Sequence, residues 1–262
     1  MSEISAQLSK VDSNMAGLVA AVGPYRIDLD LDCVPFHALA RAIAHQQLNG
    51  KAAKSILDRF IAVIGAGKFP TPERVRATSE AQLRAVGLSF AKIAALKDLA
   101  DKTIAGIVPD RHTLTGLSND EVIDRLTQVR GIGRWTVEMM LMFNFGREDI
   151  LPVDDFGVRL GFQLSHGLRK MPKPKALALY GERWSPNRSA AAWYFWRACE
   201  LHRAGKLPEA KEAIKLPRLP GRKRATRKLT KNKLASGVRI KMAAKKVSRR
   251  KSKKAPSKRA RK

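Results

Sequence analysis

The chain has 262 residues and a net charge of +28, from 51 Lys and Arg against 23 Asp and Glu. Folding does not require such an imbalance, which points to a polyanionic partner, nucleic acid first. No run of about 18 apolar residues suggests a membrane helix, and the N-terminus lacks the charged and apolar blocks of a secretory signal, so an intracellular, DNA-associated protein is expected, in the cytoplasm or nucleoid, or in the nucleus of a eukaryote.

In chain order, residues 25–33 read as extended, but no run of strands follows. Residues 36–48 place Leu39, Ala40, Ile43 and Gln47 on one helical face, and residues 52–64 continue with Ile56, Phe60 and Ile64. Ser79 with Gln82, and Ser118 with Glu121, match the reciprocal capping pattern that starts helices by satisfying orphan amides. Between them VGLSFAKIAAL (86–96) reads as a turn followed by a helix. Further helices are expected over 155–168, 175–184 and 187–204, separated by MPKP (171–174) and by Ser185-Pro186. The expected fold class is mostly α.

Residues 218–262 hold 21 basic residues and no acid, leaving 30 basic against 23 acidic residues over 1–217. The expected organisation is therefore a folded core over 1–217 and a disordered Lys/Arg-rich tail over 218–262. Such a tail binds phosphates without reading sequence, with strong salt dependence. The same composition fits a nuclear localisation signal or a solubilising appendage.

The most informative segment is LTQVRGIGRWTVE (126–138), followed by LPVDDFG (151–157). Gly131 and Gly133 flank Ile132 and let the backbone turn sharply between two amphipathic helices, giving a helix-hairpin-helix over about 126–141. Amides of the turn and of the following helix start point outward, where they can bind a phosphate oxygen. These segments resemble the helix-hairpin-helix (HhH-GPD) superfamily of base-excision DNA glycosylases, most closely its 3-methyladenine DNA glycosylase II (AlkA-like) branch. The resemblance runs from about residue 15 to about residue 205. Two cysteines, Cys33 and Cys199, are too few for a disulfide framework or a four-cysteine iron–sulfur cluster, a departure from the endonuclease III branch. The five His residues show no paired metal-ligand spacing.

The resemblance implies two helical lobes with the active site in the cleft between them, without an added N-terminal β-rich domain. It also implies a monomer acting on double-stranded DNA that contains damaged bases. Breaking an N-glycosidic bond builds positive charge on the sugar, which a fixed carboxylate beside C1′ stabilises without a metal. The family pattern places that carboxylate at Asp155, opening a helix whose dipole and free amides favour its charged form; Asp154 is then a structural neighbour. Without the upstream hairpin, either Asp would read simply as an N-cap. Relatives that also cut the strand carry a nucleophilic lysine where this chain has Trp135. A monofunctional enzyme leaving an abasic site is therefore implied, and nothing in the sequence places Lys92 or Lys97 in the cleft.

Trp135 bears on the substrate as well. A purine alkylated at N3 or N7 carries positive charge, which an aromatic face attracts and which makes the base a better leaving group. By the same resemblance Trp196 and Phe156 belong to the base pocket, together with Met139 where larger relatives have Tyr. Trp184 and Trp193 read as core. The segment HQQLN (45–49) resembles the one that fills the gap left by a flipped nucleotide, with Gln47 or Leu48 as the wedge and His45 towards the minor groove. Gly131, Ile132, Gly133, Arg134 and Thr136 are the phosphate-side candidates, with Arg130 flanking them. A monovalent cation at the hairpin carbonyls is allowed by the family. No other cofactor is expected.

Two readings from different classes remain. One is a monofunctional glycosylase of alkylated purines of the 3-methyladenine and 7-methylguanine type, or the same enzyme acting on deaminated or etheno bases. The other is a non-catalytic DNA-binding helical module in which Asp155 only caps its helix. The coexistence of hairpin glycines, Trp135, Asp155 and the Gln47 segment favours the enzyme.

Overall fold

The computed structural model describes residues 3–217; the basic tail expected over 218–262 lies outside the described residues. Every regular element among the described residues is helical. The chain opens with α1 (Glu3–Val11) and α2 (Ser13–Val22). It then passes through an irregular segment to a first lobe of α3 (Pro35–His45), α4 (Gly50–Arg59), α5 (Pro72–Ala77), α6 (Glu80–Ala85), α7 (Phe90–Ile104), α8 (Arg111–Thr115), α9 (Asn119–Leu126) and α10 (Arg134–Phe143). It returns to α1 and α2 with α11 (Phe156–Ser165), α12 (Pro174–Gly181) and α13 (Arg188–Arg203), which complete the second lobe. In the first lobe α7 packs on α3, α5 and α6, while α10 packs on α3 and α9; in the second, α13 lies against α11, α2 and α1. One apolar core runs through both lobes.

Both capping pairs form as the sequence predicts, Ser79 with Gln82 at α6 and Ser118 with Glu121 at α9. Helix α3 buries Phe36, Leu39, Ala40, Ile43 and Ala44, the face predicted from its spacing. It stops earlier than the spacing suggests: the expected helix to residue 48 ends at His45, and Gln47 has φ of 57°. A left-handed residue interrupts the i→i−4 ladder, so Gln47 is not on the helical face shared by Leu39 and Ile43. The predicted helix over 52–64 is α4 continued by a π-turn, Phe60–Ile64, which still buries Phe60 and Ile64.

Residues 25–33 form no strand. Their backbone is held by other partners: the Tyr25 amide donates to Ser5 Oγ at 3.1 Å, and the Asp30 amide donates to the Phe143 carbonyl at 3.0 Å. Helices α1 and α2 are not anticipated from the sequence. Between them Asp12 caps α2 through the amides of Asn14 and Met15, and also accepts from His166 Nε2 and Trp184 Nε1, each at 3.1 Å. Burial alone pushes the Asp12 carboxyl up, but the bonds from His166, Met15 and Trp184 outweigh it and hold it below its ordinary value.

Two glycines set how closely α11 and α13 pack. A methyl group at Gly161 would stand 1.9 Å from the Phe195 carbonyl oxygen, so only hydrogen fits there. Gly157, one turn earlier, would place its methyl 2.8 Å from Trp196 Cδ1. Residues at i and i+4 share a helix face. Here the pair lets α13 approach closely enough to bring Trp196 to the start of α11.

Candidate active site

Asp155 is the N-cap of α11, with Oδ1 accepting from the Val158 amide at 2.7 Å. The cap is only part of its bonding. Trp196 Nε1 donates to the same oxygen at 2.9 Å, and Trp135 Nε1 donates to Oδ2 at 2.8 Å. One carboxylate thus receives three N–H groups from three helices, α10, α11 and α13. An ionised acceptor strengthens such bonds and fixes the orientation of the group that makes them. Behind the carboxylate, Cys199 Sγ donates to the Gly157 carbonyl at 3.3 Å. Asp154 is exposed beside it.

Trp135 also forms one wall of a cavity of about 670 Å³ lined mainly by α3 and α10. Its apolar walls include Leu39, Ala42, Met139 and Phe143, and its polar groups come from His45, Gln46, Gln47, Thr136 and Asn144. Neither a carboxylate nor a lysine is among the lining residues. Lys92 Nζ instead donates to the Ala44 carbonyl at 2.7 Å, with burial pushing its ammonium below the ordinary lysine value. Lys97 Nζ reaches the carbonyls of Arg76 and Thr78.

The residues predicted for the base pocket (Trp135, Met139, Trp196, Phe156) and for the wedge segment (His45, Gln47, Leu48) divide. Trp135, Met139, His45 and Gln47 line the cavity; Trp196, Phe156 and Leu48 do not. Trp196 stacks on Phe143, with ring centroids 5.9 Å apart, and so stands one layer behind the cavity wall while its N–H reaches Asp155. Phe156, the first residue of α11, is 66% exposed. Trp184 lies in the core and Trp193 is partly buried against it, edge-on to Tyr25.

The hairpin is built as its glycines require. Gly131 has φ of 78°, a left-handed value that a side chain resists, and Ile132 is buried as the anchor of the turn. Gly133 precedes α10 and no side chain caps that helix start. The first amides of α10 therefore have no capping partner among the described residues, the condition under which a helix start binds an anion. Arg134 faces elsewhere. Its guanidinium bonds Glu138 at 2.9 Å and approaches Asp120 at 3.6 Å. Burial raises the Glu138 carboxyl above its ordinary value; Arg134 opposes that shift, and the nearby charges of Asp154 and Asp155 add to it. Arg130 is exposed, with its amide donating to Asp98 Oδ2 at 2.7 Å. Thr136 lines the cavity while its amide donates to the Gly133 carbonyl at 3.0 Å. The carbonyls of Val129, Gly131 and Gly133 already accept hydrogen bonds, from Ile132, Gln46 and Thr136 respectively.

Sequence reasoning missed three contributors. Gln46 joins the 45–49 segment to the hairpin by donating from Nε2 to the Gly131 carbonyl at 2.7 Å. Gly157 and Gly161 make room for Trp196 and α13. The glycines have a readable signal, two small residues one helical turn apart in FGVRLGF (156–162). The Gln46 contact has none, since its partner is 85 positions away.

Comparison with known proteins gives a consistent result. Residues 40–186 match the family described as HhH-GPD superfamily base excision DNA repair protein. The chain is 44% identical over 195 residues to DNA-3-methyladenine glycosylase 1 of Schizosaccharomyces pombe, covering 74% of this chain and 86% of that one. Among solved structures it is similar to the S. pombe 3-methyladenine DNA glycosylase in complex with abasic DNA, with TM-score 0.69 and 42% identity over 76% of this chain and 98% of that one. It is also similar to a DNA-3-methyladenine glycosidase from Bacillus halodurans, with TM-score 0.71 and 30% identity over 78% and 92%.

Proposed function

The chain belongs to the HhH-GPD superfamily of base excision DNA repair proteins, and from that premise we propose that it is a monofunctional DNA glycosylase that releases alkylated purines from duplex DNA and leaves an abasic site. The observation that carries this reading is the Asp155 carboxylate, fixed by two indole N–H groups and a helix-start amide at the edge of an aromatic-walled cavity. A DNA-binding module needs only the capping bond.

In the proposed reaction a damaged nucleotide leaves the stack and its base enters the cavity against Trp135, Met139 and Phe143. A base alkylated at N3 or N7 is cationic, and an aromatic face attracts it beyond ordinary stacking. The C1′–N bond breaks with its electron pair going to the base, which leaves neutral, and positive charge passes to the sugar. Asp155 stabilises that charge by preorganised electrostatics. Water bonds to C1′ and loses a proton, giving the abasic site with the backbone intact. A cavity lined by neither carboxylate nor lysine suits this chemistry, because a leaving group that is already cationic does not depend on a strong general acid.

Hairpin amides before and at the start of α10 would grip a phosphate, and Gln47, exposed at the cavity mouth, would fill the gap in the duplex. Hairpin, wedge and carboxylate all come from one chain, as a monomeric enzyme requires. The basic residues over 218–262 would add affinity that is independent of sequence.

The test is base release from methylated duplex DNA, assayed with and without alkali. Free methylated purines are expected, with strand breaks that appear only after alkali. Breaks without alkali would refute the monofunctional assignment, and binding without base release would favour the architectural alternative.

A further inference from the structure

The 45–49 segment is held more firmly than an exposed loop requires. His45 Nδ1 donates to the Arg41 carbonyl at 2.8 Å and Lys92 Nζ donates to the Ala44 carbonyl at 2.7 Å, so the open end of α3 is tied back on two sides. The Gln46 amide returns to the Ala42 carbonyl at 3.2 Å, and the Leu48 amide to the His45 carbonyl at 3.3 Å. Asn49 starts α4 by accepting from the Ala52 amide. Between these anchors Gln47 holds φ of 57°, a conformation that side chains disfavour and that persists only where neighbours enforce it.

The remaining anchor crosses to another part of the site. Gln46 Nε2 donates to the carbonyl of Gly131, the left-handed glycine of the hairpin. The geometry points to a coupling role: we propose that Gln46 is a positioning residue that fixes the wedge segment to the phosphate-binding hairpin, so that gripping the backbone and inserting Gln47 occur as one rigid event. The proposal rests on the reading of Gln47 as the wedge. Without the tether, Gln47 relaxes to ordinary backbone angles and its side chain is no longer aimed at the gap when the hairpin engages DNA.

Base extrusion, and not the cleavage step, then depends on Gln46. The test is single-turnover release of 7-methylguanine from two duplexes, one with the lesion paired to cytosine and one with it opposite an abasic analogue, where no pairing is lost. Loss of the tether in Gln46→Ala should slow release from the paired lesion about tenfold and from the unpaired lesion much less. Gln46→Glu should do the same, because a carboxylate cannot donate to the Gly131 carbonyl. If the two residues act as one device, Gln46→Ala/Gln47→Ala should be no slower than Gln47→Ala. Melting temperature should stay near that of the wild type, since the Gln46 bond is exposed.

Equal slowing on both duplexes, or a double variant as slow as the product of the single effects, overturns the coupling. So does a slowed Gln47→Ala beside an unaffected Gln46→Ala. A Gln47→Ala protein at the wild-type rate overturns the wedge reading and the coupling with it. Fluorescence of 2-aminopurine beside the lesion reports extrusion directly. It tests the coupling even where wild-type protein releases no base, an outcome that would count against the glycosylase reading alone.

Discussion

Asp12 and Asp155 are built from the same local device and set in different surroundings. Each caps a helix, α2 and α11 respectively, and each accepts an indole N–H from a distant tryptophan. Around Asp12 the partners close in completely: His166 and Trp184 are buried and the Asp12 side chain is 2% exposed. Around Asp155 one donor, Trp135, is 48% exposed and stands between the carboxylate and a cavity. An N-cap alone therefore does not fix what surrounds the carboxylate. The difference is whether the charge is enclosed by its own core or held at an open edge.

The comparison can be broken at either end. Asp12→Ala leaves His166 and Trp184 with unpaired buried polar atoms and should cost on the order of 3 kcal/mol, with a melting point lower by roughly 5–10 °C. The activity of the protein that remains folded should be normal, as single-turnover kinetics below the transition would show. Acid sharpens the same point. The Asp12 carboxyl is held below its ordinary value of 3.8 in the folded chain. Its stabilisation is therefore complete above that pH and is lost as pH falls through the lower folded value. Asp12→Asn should flatten this acid limb of a pH–stability curve, and an unchanged limb would contradict the assignment.

On the site side, Gly157→Ala would push a methyl to 2.8 Å from Trp196 Cδ1 and 3.2 Å from Asp155 Oδ1. Displacing the indole should slow base release some tenfold or more with DNA affinity retained. Trp135→Phe keeps an aromatic face but removes the donor to Oδ2. It should slow release on the order of tenfold with substrate affinity little changed, since one charge-assisted hydrogen bond is lost. A Phe variant at the wild-type rate would show that Trp135 acts through its ring alone.

Much of this architecture is legible in the sequence. Capping pairs, the apolar face of α3 and the glycine hairpin rest on local chemistry, and each is found where its residues place it. The mostly helical fold follows from them. Less legible is whatever depends on long-range packing. The helix over 36–48 stops short because Gln47 turns left-handed, a conformation enforced by neighbours and not by its own preference. Helix α2 is apolar and rich in small residues, so it offers no polar stripe to mark its face, and residues 25–33 stay irregular because their backbone partners are a serine side chain and a helix end. At the site, motif position singles out Asp155 and Trp135, but only the three-dimensional structure separates Trp135, on the cavity wall, from Trp196 behind it and Phe156 in solvent.

The contrast between a carboxylate that builds the core and one left available for chemistry is tested most directly by Asp155→Asn, with base release and binding measured on the same duplex containing 7-methylguanine. An asparagine can still cap α11. Melting temperature and DNA affinity should be unchanged, with base release slowed about a hundredfold or more. Base release at the wild-type rate would contradict the catalytic role, leaving Asp155 a structural cap like Asp12.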